Sequence, residues 1–321
     1  MSLTRRQQWR IKKIQSERIA RIQRAAKSNN NITNDKTSEC FGLVITRYGQ
    51  RLLVESESGD IFQCTGRQNI ELSVAGDQVI FQPINEKEGV VTALVKRDNQ
   101  LERSHKIIAS NIDQLWLVVA TEPHYQFEMI DSYLIVAEYS NLPINIIVNK
   151  VELNNNQKRL EKDFSIYTEI GYSVVYISVK EQTNLGILKS MLDDKSHIFL
   201  GQSGVGKSSL INELIPELNL RVKEISKKSK LGKHTTTNTT LYHIPSGGDL
   251  IDSPGIREFQ LDNLTNKQIL NGFIEFKPFI GSCKYRNCVH INEPDCAIKN
   301  AINTGQINHK RYQNYLNLIS K

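Results

Sequence analysis

The chain has no apolar run approaching the roughly 18 residues that a membrane span requires. Its first residues lack the apolar centre of a secretory signal. Together these absences point to a cytoplasmic protein with no membrane partner. Cysteine is scarce: there are five in 321 residues, an odd number, which argues against a disulfide framework. Three of them, Cys283, Cys288 and Cys296, crowd into fourteen positions, and such crowding in a cytosolic chain favours a metal. Cys40 and Cys64 are most simply core or edge residues. Acid is almost missing from residues 1–30, where nine lysines and arginines face only Glu17. That stretch carries +8 of a total of +7, so the rest of the chain sums to −1. No internal repeat is present.

What is present is ordinary for a folded protein, with 39% hydrophobic and 23% charged residues in a chain long enough for two or three domains. Residues 1–35 read as a basic arm, helical when bound, whose dense Lys and Arg suit phosphate neutralisation, followed by a polar linker; a merely solvated tail is the alternative. Between 36 and 100, five short apolar runs (41–45, 52–54, 61–64, 78–81 and 90–95) are separated by turn residues such as Gly49, Gly59 and Gly76. Five strands in that space suit a small β-barrel, OB-like or SH3-like, which we take as OB-like.

From 101 to 258 the pattern changes to apolar strands alternating with helical stretches. Strands are expected at 115–120, 144–148, 174–177, 198–200, 240–244 and 250–251, and helices at 129–139, 156–170, 185–192 and 208–214. This is an α/β arrangement with a mostly parallel sheet, in which ligands bind just after the strands. The segment 259–321 is helical and polar and holds the cysteine cluster.

Residues Gly201-Gln202-Ser203-Gly204-Val205-Gly206-Lys207-Ser208 match the phosphate-loop pattern, directly after an apolar strand and before a helix that begins Ser209-Leu210. The glycines let backbone N–H groups turn toward phosphate, Lys207 reaches the β- and γ-phosphates, and Ser208 can ligate Mg²⁺. Asp252-Ser253-Pro254-Gly255 has the form of the element that senses a γ-phosphate through Mg²⁺ and the Gly255 N–H. One hydroxyl of Thr235, Thr236 or Thr237 would complete the metal's shell. Asn149-Lys150-Val151-Glu152 resembles the Asn-Lys-x-Asp element that reads guanine, and Ser178 lies where a partner base-contacting loop belongs. Glu152 offers the same two acceptors as Asp on an arm one methylene longer. In an ordinary GTPase the phosphate loop precedes this element; here it follows, the mark of circular permutation.

This order, with Gly-Lys-His-Thr-Thr-Thr between the phosphate loop and Asp252 and a Cys/His cluster behind, resembles the RsgA (YjeQ) family over nearly the whole chain. Glu152 is the one departure from that family's pattern. The resemblance implies a circularly permuted P-loop GTPase domain, flanked by an N-terminal OB-like barrel and a C-terminal helical zinc-binding domain. It also implies a monomeric, ribosome-stimulated GTPase that binds the small (30S) subunit and rRNA late in maturation and is released on hydrolysis. Mg²⁺ would accompany GTP. Cys283, Cys288, His290 and Cys296 would hold one structural Zn²⁺, a closed set with no open position. Where many GTPases place a water-orienting glutamine this chain has Ile256, so unaided hydrolysis is expected to be slow, and His234 is the internal candidate for positioning water. The residues 256–259 are expected to pass switch motion to the C-terminal domain. An ATP-dependent kinase with an RNA-binding arm and a non-catalytic RNA scaffold remain as alternatives.

Overall fold

A computed structural model describes residues 13, 16–20, 39–67, 70–103, 106–192, 194–218, 239–252 and 264–320. His234, Thr235, Thr236, Thr237, Ser253, Pro254, Gly255 and residues 256–259 lie outside the described residues, as does most of the basic arm. The chain divides into two compact units, one within Met1–Ile112, Lys233–His243 and Asp249–Gly255, the other within Asp113–Gly232, Ile244–Gly248 and Ile256–Lys321.

In the first unit, β1 (Cys40–Tyr48), β2 (Arg51–Ser56), β3 (Ile61–Gly66), β4 (Gln78–Pro83) and β5 (Glu88–Leu94) close on themselves. Antiparallel pairs join β1 to β2, β2 to β3 and β4 to β5; β3 runs parallel to β5, and β1 returns to β4. The parallel β3–β5 closure selects the OB-type arrangement over an SH3-like one. Alternation along the strands sends Val44, Leu52, Val54, Cys64, Val79, Phe81 and Val91 inward. Cys64 is therefore a core residue, as its sequence context suggested. Arg18, from the arm, donates to the Thr92 carbonyl (3.4 Å) and pairs with Glu39 (3.5 Å), so part of the arm's charge is bound within this unit.

A register shift between Val44 and Thr46 bends β1, and its second half pairs with another strand. That strand is β12 (Thr240–His243), which forms an antiparallel hairpin with β13 (Asp249–Asp252). The sequence indicated both strands but not that they turn back on each other. Thr46 Oγ1 donates to the Thr239 carbonyl at 2.9 Å and lies 3.1 Å from the Thr240 hydroxyl. A second hairpin, β6 (Gln100–Arg103) with β7 (Lys106–Ser110), went unrecognised because its short strands carry little apolar alternation. Buried Asp77 tethers it, accepting from Ser110 Oγ at 2.6 Å and from Arg97 at 2.7 and 2.8 Å.

In the second unit, β8 (Gln114–Ala120), β9 (Ile144–Asn149), β10 (Val174–Tyr176) and β11 (Ser196–Leu200) make a parallel sheet in the order β10-β9-β8-β11. Their near-continuous apolar sequences fit strands covered on both faces. The helices are α1 (Phe127–Tyr139), α2 (Gln157–Thr168), α3 (Leu185–Met191) and α4 (Lys207–Leu214), then α5 (Asn266–Gly272), α6 (Ala297–Asn303) and α7 (His309–Ile319) in the C-terminal segment. Thr265 and Gln268 form a capping box at the start of α5. Among the described residues no helix is long and apolar enough to cross a membrane.

The C-terminal segment is fixed to α1 by apolar and ionic contacts. Ile135 of α1 joins the cluster of Ile269, Phe273, Phe276, Ile298 and Tyr315, and Gly272 comes so close to Ile135 that a Cβ there would crowd it. The fully buried guanidinium of Arg311 pairs with Asp131 and donates to both Glu275 oxygens at 2.7 and 3.1 Å. Asp131 also accepts from Tyr167 Oη (2.9 Å) and Asn314 Nδ2 (2.6 Å). Burial pushes the Asp131 carboxyl up, and these donors work against that shift.

His243 clasps the β12–β13 hairpin to β2: Nδ1 lies 2.6 Å from Asp249 Oδ1 and Nε2 lies 2.6 Å from Glu55 Oε2. The bond to Asp249, aided by Glu55 and opposed by partial burial, pushes the imidazole up from 6.5 to about 9. A raised pKa means that the folded form binds the extra proton, so the stabilisation is complete below pH 6.5 and fades as the pH rises through about 9. The melting temperature should therefore fall from about pH 7 to about pH 10, and His243→Phe should melt lower at neutral pH with a flatter decline. Equal slopes for the two proteins would show that the clasp contributes nothing.

Candidate functional site

The sheet of the second unit brings its chemistry to one edge. Its parallel strands end together, with Ala120 opposite Asn149 and Tyr176 opposite Val148. The segments after β8, β9, β10 and β11 therefore leave from the same side, where open α/β sheets bind ligands.

Gly206 is the N-cap of α4, with a φ of +96° that a side chain adopts only under strain. Any Cβ there would collide with the Asn149 amide nitrogen. α4 holds the loop from behind by burying Leu210, Ile211 and Leu214, while Ser203, Gly204, Ser208 and Ser209 stay exposed. Lys207 Nζ donates to the carbonyls of Gly201 (2.5 Å) and Gln202 (2.6 Å), which sets the ammonium within the loop 201–207. Backbone N–H groups turned about glycines and a helix N-terminus are an anion-binding arrangement.

The Asn149 element touches this loop directly. Asn149, 2% exposed, donates from Nδ2 to the Val205 carbonyl at 2.9 Å. Lys150 takes a left-handed conformation (φ 60°, ψ 36°) and sends Nζ to the carbonyls of Gly204 (2.7 Å) and Glu122 (2.6 Å). A 3-10 turn, Val151–Leu153, then carries Glu152. Asn149 Oδ1 and Glu152 Oε2 are buried acceptors with no hydrogen-bond partner among the described residues. Such orphaned acceptors are costly and mark a place where ligand donors fit. Ser178 is buried; its Oγ accepts from the Glu181 N–H (3.0 Å) and its backbone bridges to Thr183, closing the turn after β10. The structure thus brings Asn149 and Lys150 against Gly204, Val205 and Gly206, with Val151 and Glu152 on the turn that follows. Asp252 ends β13 in the other unit, and Gly255, His234 and the three threonines lie outside the described residues.

Sequence reading missed the segment after β8. Thr121 Oγ1 donates to the Lys150 carbonyl (2.6 Å), and Glu122 lends the carbonyl that receives the Lys150 ammonium. No motif marks these residues; only the strand register places them beside Asn149.

Cys283, Cys288, His290 and Cys296 present one ligand atom each within 4.8 Å of one another. His290 Nδ1 lies 3.5, 3.4 and 3.4 Å from the three sulfurs, and Cys283 Sγ lies 3.9 Å from Cys296 Sγ. A tetrahedron with zinc–sulfur bonds near 2.3 Å has edges of about 3.8 Å, so the cluster can bind one zinc ion. Burial pushes the Cys288 thiol up to about 12 and lowers the His290 imidazole, which keeps the latter in its neutral, ligating form. The loop is braced from outside. Tyr312 Oη donates to the His290 carbonyl (2.8 Å), and Glu293 accepts from the N–H groups of Val289, Ile291 and Asn292, which holds its carboxyl down at about 2.

The family model of the RsgA GTPase matches residues 94–262. "Small ribosomal subunit biogenesis GTPase RsgA" of Actinobacillus succinogenes is 42% identical, the match covering 99% of this chain and 95% of that protein. The protein of the same name from Histophilus somni is also 42% identical over 99% of this chain and 94% of its own. The chain belongs to the RsgA GTPase family. Among solved structures, YloQ, described as a circularly permuted GTPase, superposes with a TM-score of 0.72 at 28% identity, over 90% of this chain and 96% of that one. YjeQ from Thermotoga maritima gives 0.72 at 29% identity, over 88% and 98%. The fold is accordingly that of a circularly permuted GTPase, with the N-terminal barrel and C-terminal Cys/His cluster read from the sequence.

Two outcomes test the site's construction. Gly206→Ala should cost roughly 1–3 kcal/mol in backbone strain and cost the family member its nucleotide affinity, read by titration with a fluorescent guanine nucleotide. Emission spectrometry should find one zinc per chain in wild-type protein and none in Cys288→Ser, whose melting temperature should fall with it.

Proposed function

We propose that this GTPase binds guanine nucleotide at the joined Asn149 and phosphate-loop elements, and uses the cycle of GTP binding and hydrolysis to act on the small ribosomal subunit. The observation that carries the reading is the direct bonding of Asn149 and Lys150 to the Val205 and Gly204 carbonyls. It supports a single pocket in which base recognition and phosphate capture share one nucleotide. Glu152 supplies the acceptor for guanine N1–H and N2–H₂; adenine has no such pair of donors there. Backbone N–H groups of residues 201–208 and the Lys207 ammonium hold the phosphates, and charge that develops on them during hydrolysis is met by the same groups.

The magnesium set stays as the sequence gives it: Ser208 and Asp252, with one of Thr235, Thr236 and Thr237. Gly255 supplies the γ-phosphate contact. Because Ile256 cannot orient water, His234 or a partner must do so, and hydrolysis in isolation is slow. We take the domains as a basic arm 1–35, the barrel 36–100, the GTPase domain 101–258 and a metal domain 259–321. Cys283, Cys288, His290 and Cys296 hold a structural Zn²⁺ there.

The name of the relatives supports the small subunit as partner. Contact with rRNA rests on the arm's charge and on the barrel, and a monomer in the cytoplasm suffices for the task. Release of the protein follows hydrolysis. The test is GTP hydrolysis with and without isolated small subunits, with ATP as competitor. Strong stimulation by the subunit and no competition from ATP are expected. Turnover of ATP instead would indicate a kinase-like enzyme, and no turnover with subunits present would indicate a scaffold.

A further inference from the structure

The left-handed Lys150 is the pivot between strand β9 and the turn that carries Glu152, and both of its ends are held by the segment after β8. Its carbonyl accepts the Leu153 N–H (3.0 Å), which opens the Val151–Leu153 turn, and also the Thr121 hydroxyl (2.6 Å). Its ammonium donates to the Glu122 carbonyl. Thr121 is itself fixed, because its N–H extends the parallel ladder to the Asn149 carbonyl at 3.2 Å, one residue beyond the Ala120–Asn149 pair. Among the described residues, Thr121 is the side chain that anchors the Lys150 carbonyl, while the N–H of the same peptide unit, on Val151, donates to the Ile177 carbonyl at 3.3 Å.

We propose that Thr121 is a specificity-determining positioning residue: its hydroxyl, donated to the Lys150 carbonyl, fixes the turn that presents the Glu152 carboxylate to guanine. The proposal rests on the reading of this site as a guanine pocket and extends it to a residue that touches neither base nor phosphate. Paired acceptance from a ring N–H and an exocyclic amino group tolerates little displacement, whereas phosphate is gripped by many N–H groups and a mobile ammonium. Loosening the turn therefore degrades the choice of base before it degrades capture of the phosphates. Glu152 makes the support more necessary, because its carboxylate sits on a longer and freer arm than the aspartate usual at this place.

The test compares wild type, Thr121→Val and Thr121→Ser in titrations with GDP and ADP, using the full chain loaded with zinc and Mg²⁺. Valine keeps the shape and removes the donor; serine keeps the donor. Thr121→Val should weaken GDP about three- to tenfold, the usual worth of one hydrogen bond, and change ADP less than about twofold. Binding should stay at one nucleotide per chain, and Thr121→Ser should restore most of the GDP affinity. Equal weakening of both nucleotides, or a loss of binding sites rather than of affinity, would mark Thr121 as merely structural and overturn the proposal. So would a serine variant no better than valine. A wild-type protein indifferent to the base overturns the guanine reading and the proposal with it. A guanine-selective wild type with an unchanged valine variant overturns the proposal alone.

Discussion

The bond from the Asn149 amide to the Val205 carbonyl is the contact on which the rest of the second unit's site depends. It lies where β9 and β11, separated by β8 in the sheet, send out their loops, and it fixes the Asn149–Glu152 element against the loop 201–208. Lys150 repeats the tie one residue on, through the Gly204 carbonyl. Gly206 makes the approach possible, since any side chain there would strike the Asn149 amide. The requirement for glycine at position 206 is thus partly a requirement of the neighbouring Asn149.

Circular permutation leaves this contact intact while changing what is joined to it covalently. β8, β9 and β10 precede β11 in the chain, yet their register gathers the same loops at one edge. The segment with the Cys/His cluster belongs to the same compact unit and is fastened to α1 by Arg311, which bridges Asp131 and Glu275 with no exposure to solvent. A buried cation with two carboxylate partners resists separation, because parting them strands charge away from water. The segment that carries the Cys/His cluster therefore belongs mechanically with α1. The hairpin that follows Thr235–Thr237 is bonded differently: β12 and β13 are held in the barrel's unit by Thr46 and by the His243 clasp.

Much of this was legible in the sequence for identifiable reasons. Strands β8, β9 and β11 announced themselves as apolar runs, and the phosphate loop, the Asn149 element and the cysteine spacing each encode their chemistry in adjacent residues. The barrel's strands are readable as short apolar runs between turn residues, but the choice of OB-type closure rests on the parallel β3–β5 pair, which connects residues distant in sequence. Contacts between elements left no local trace. Nothing in the sequence around Thr121, His243 or Arg311 marks them; register and packing give them their partners.

The central claim is that one nucleotide spans Glu152 and Lys207. The most direct measurement is a crystal structure of the protein with GDP and Mg²⁺. The account predicts the guanine N1–H and N2–H₂ on the Glu152 carboxylate, the diphosphate in the loop 201–208, and the Asn149–Val205 bond retained. A diphosphate held by Lys207 with its base turned away from Glu152, or a broken Asn149–Val205 bond, would contradict it.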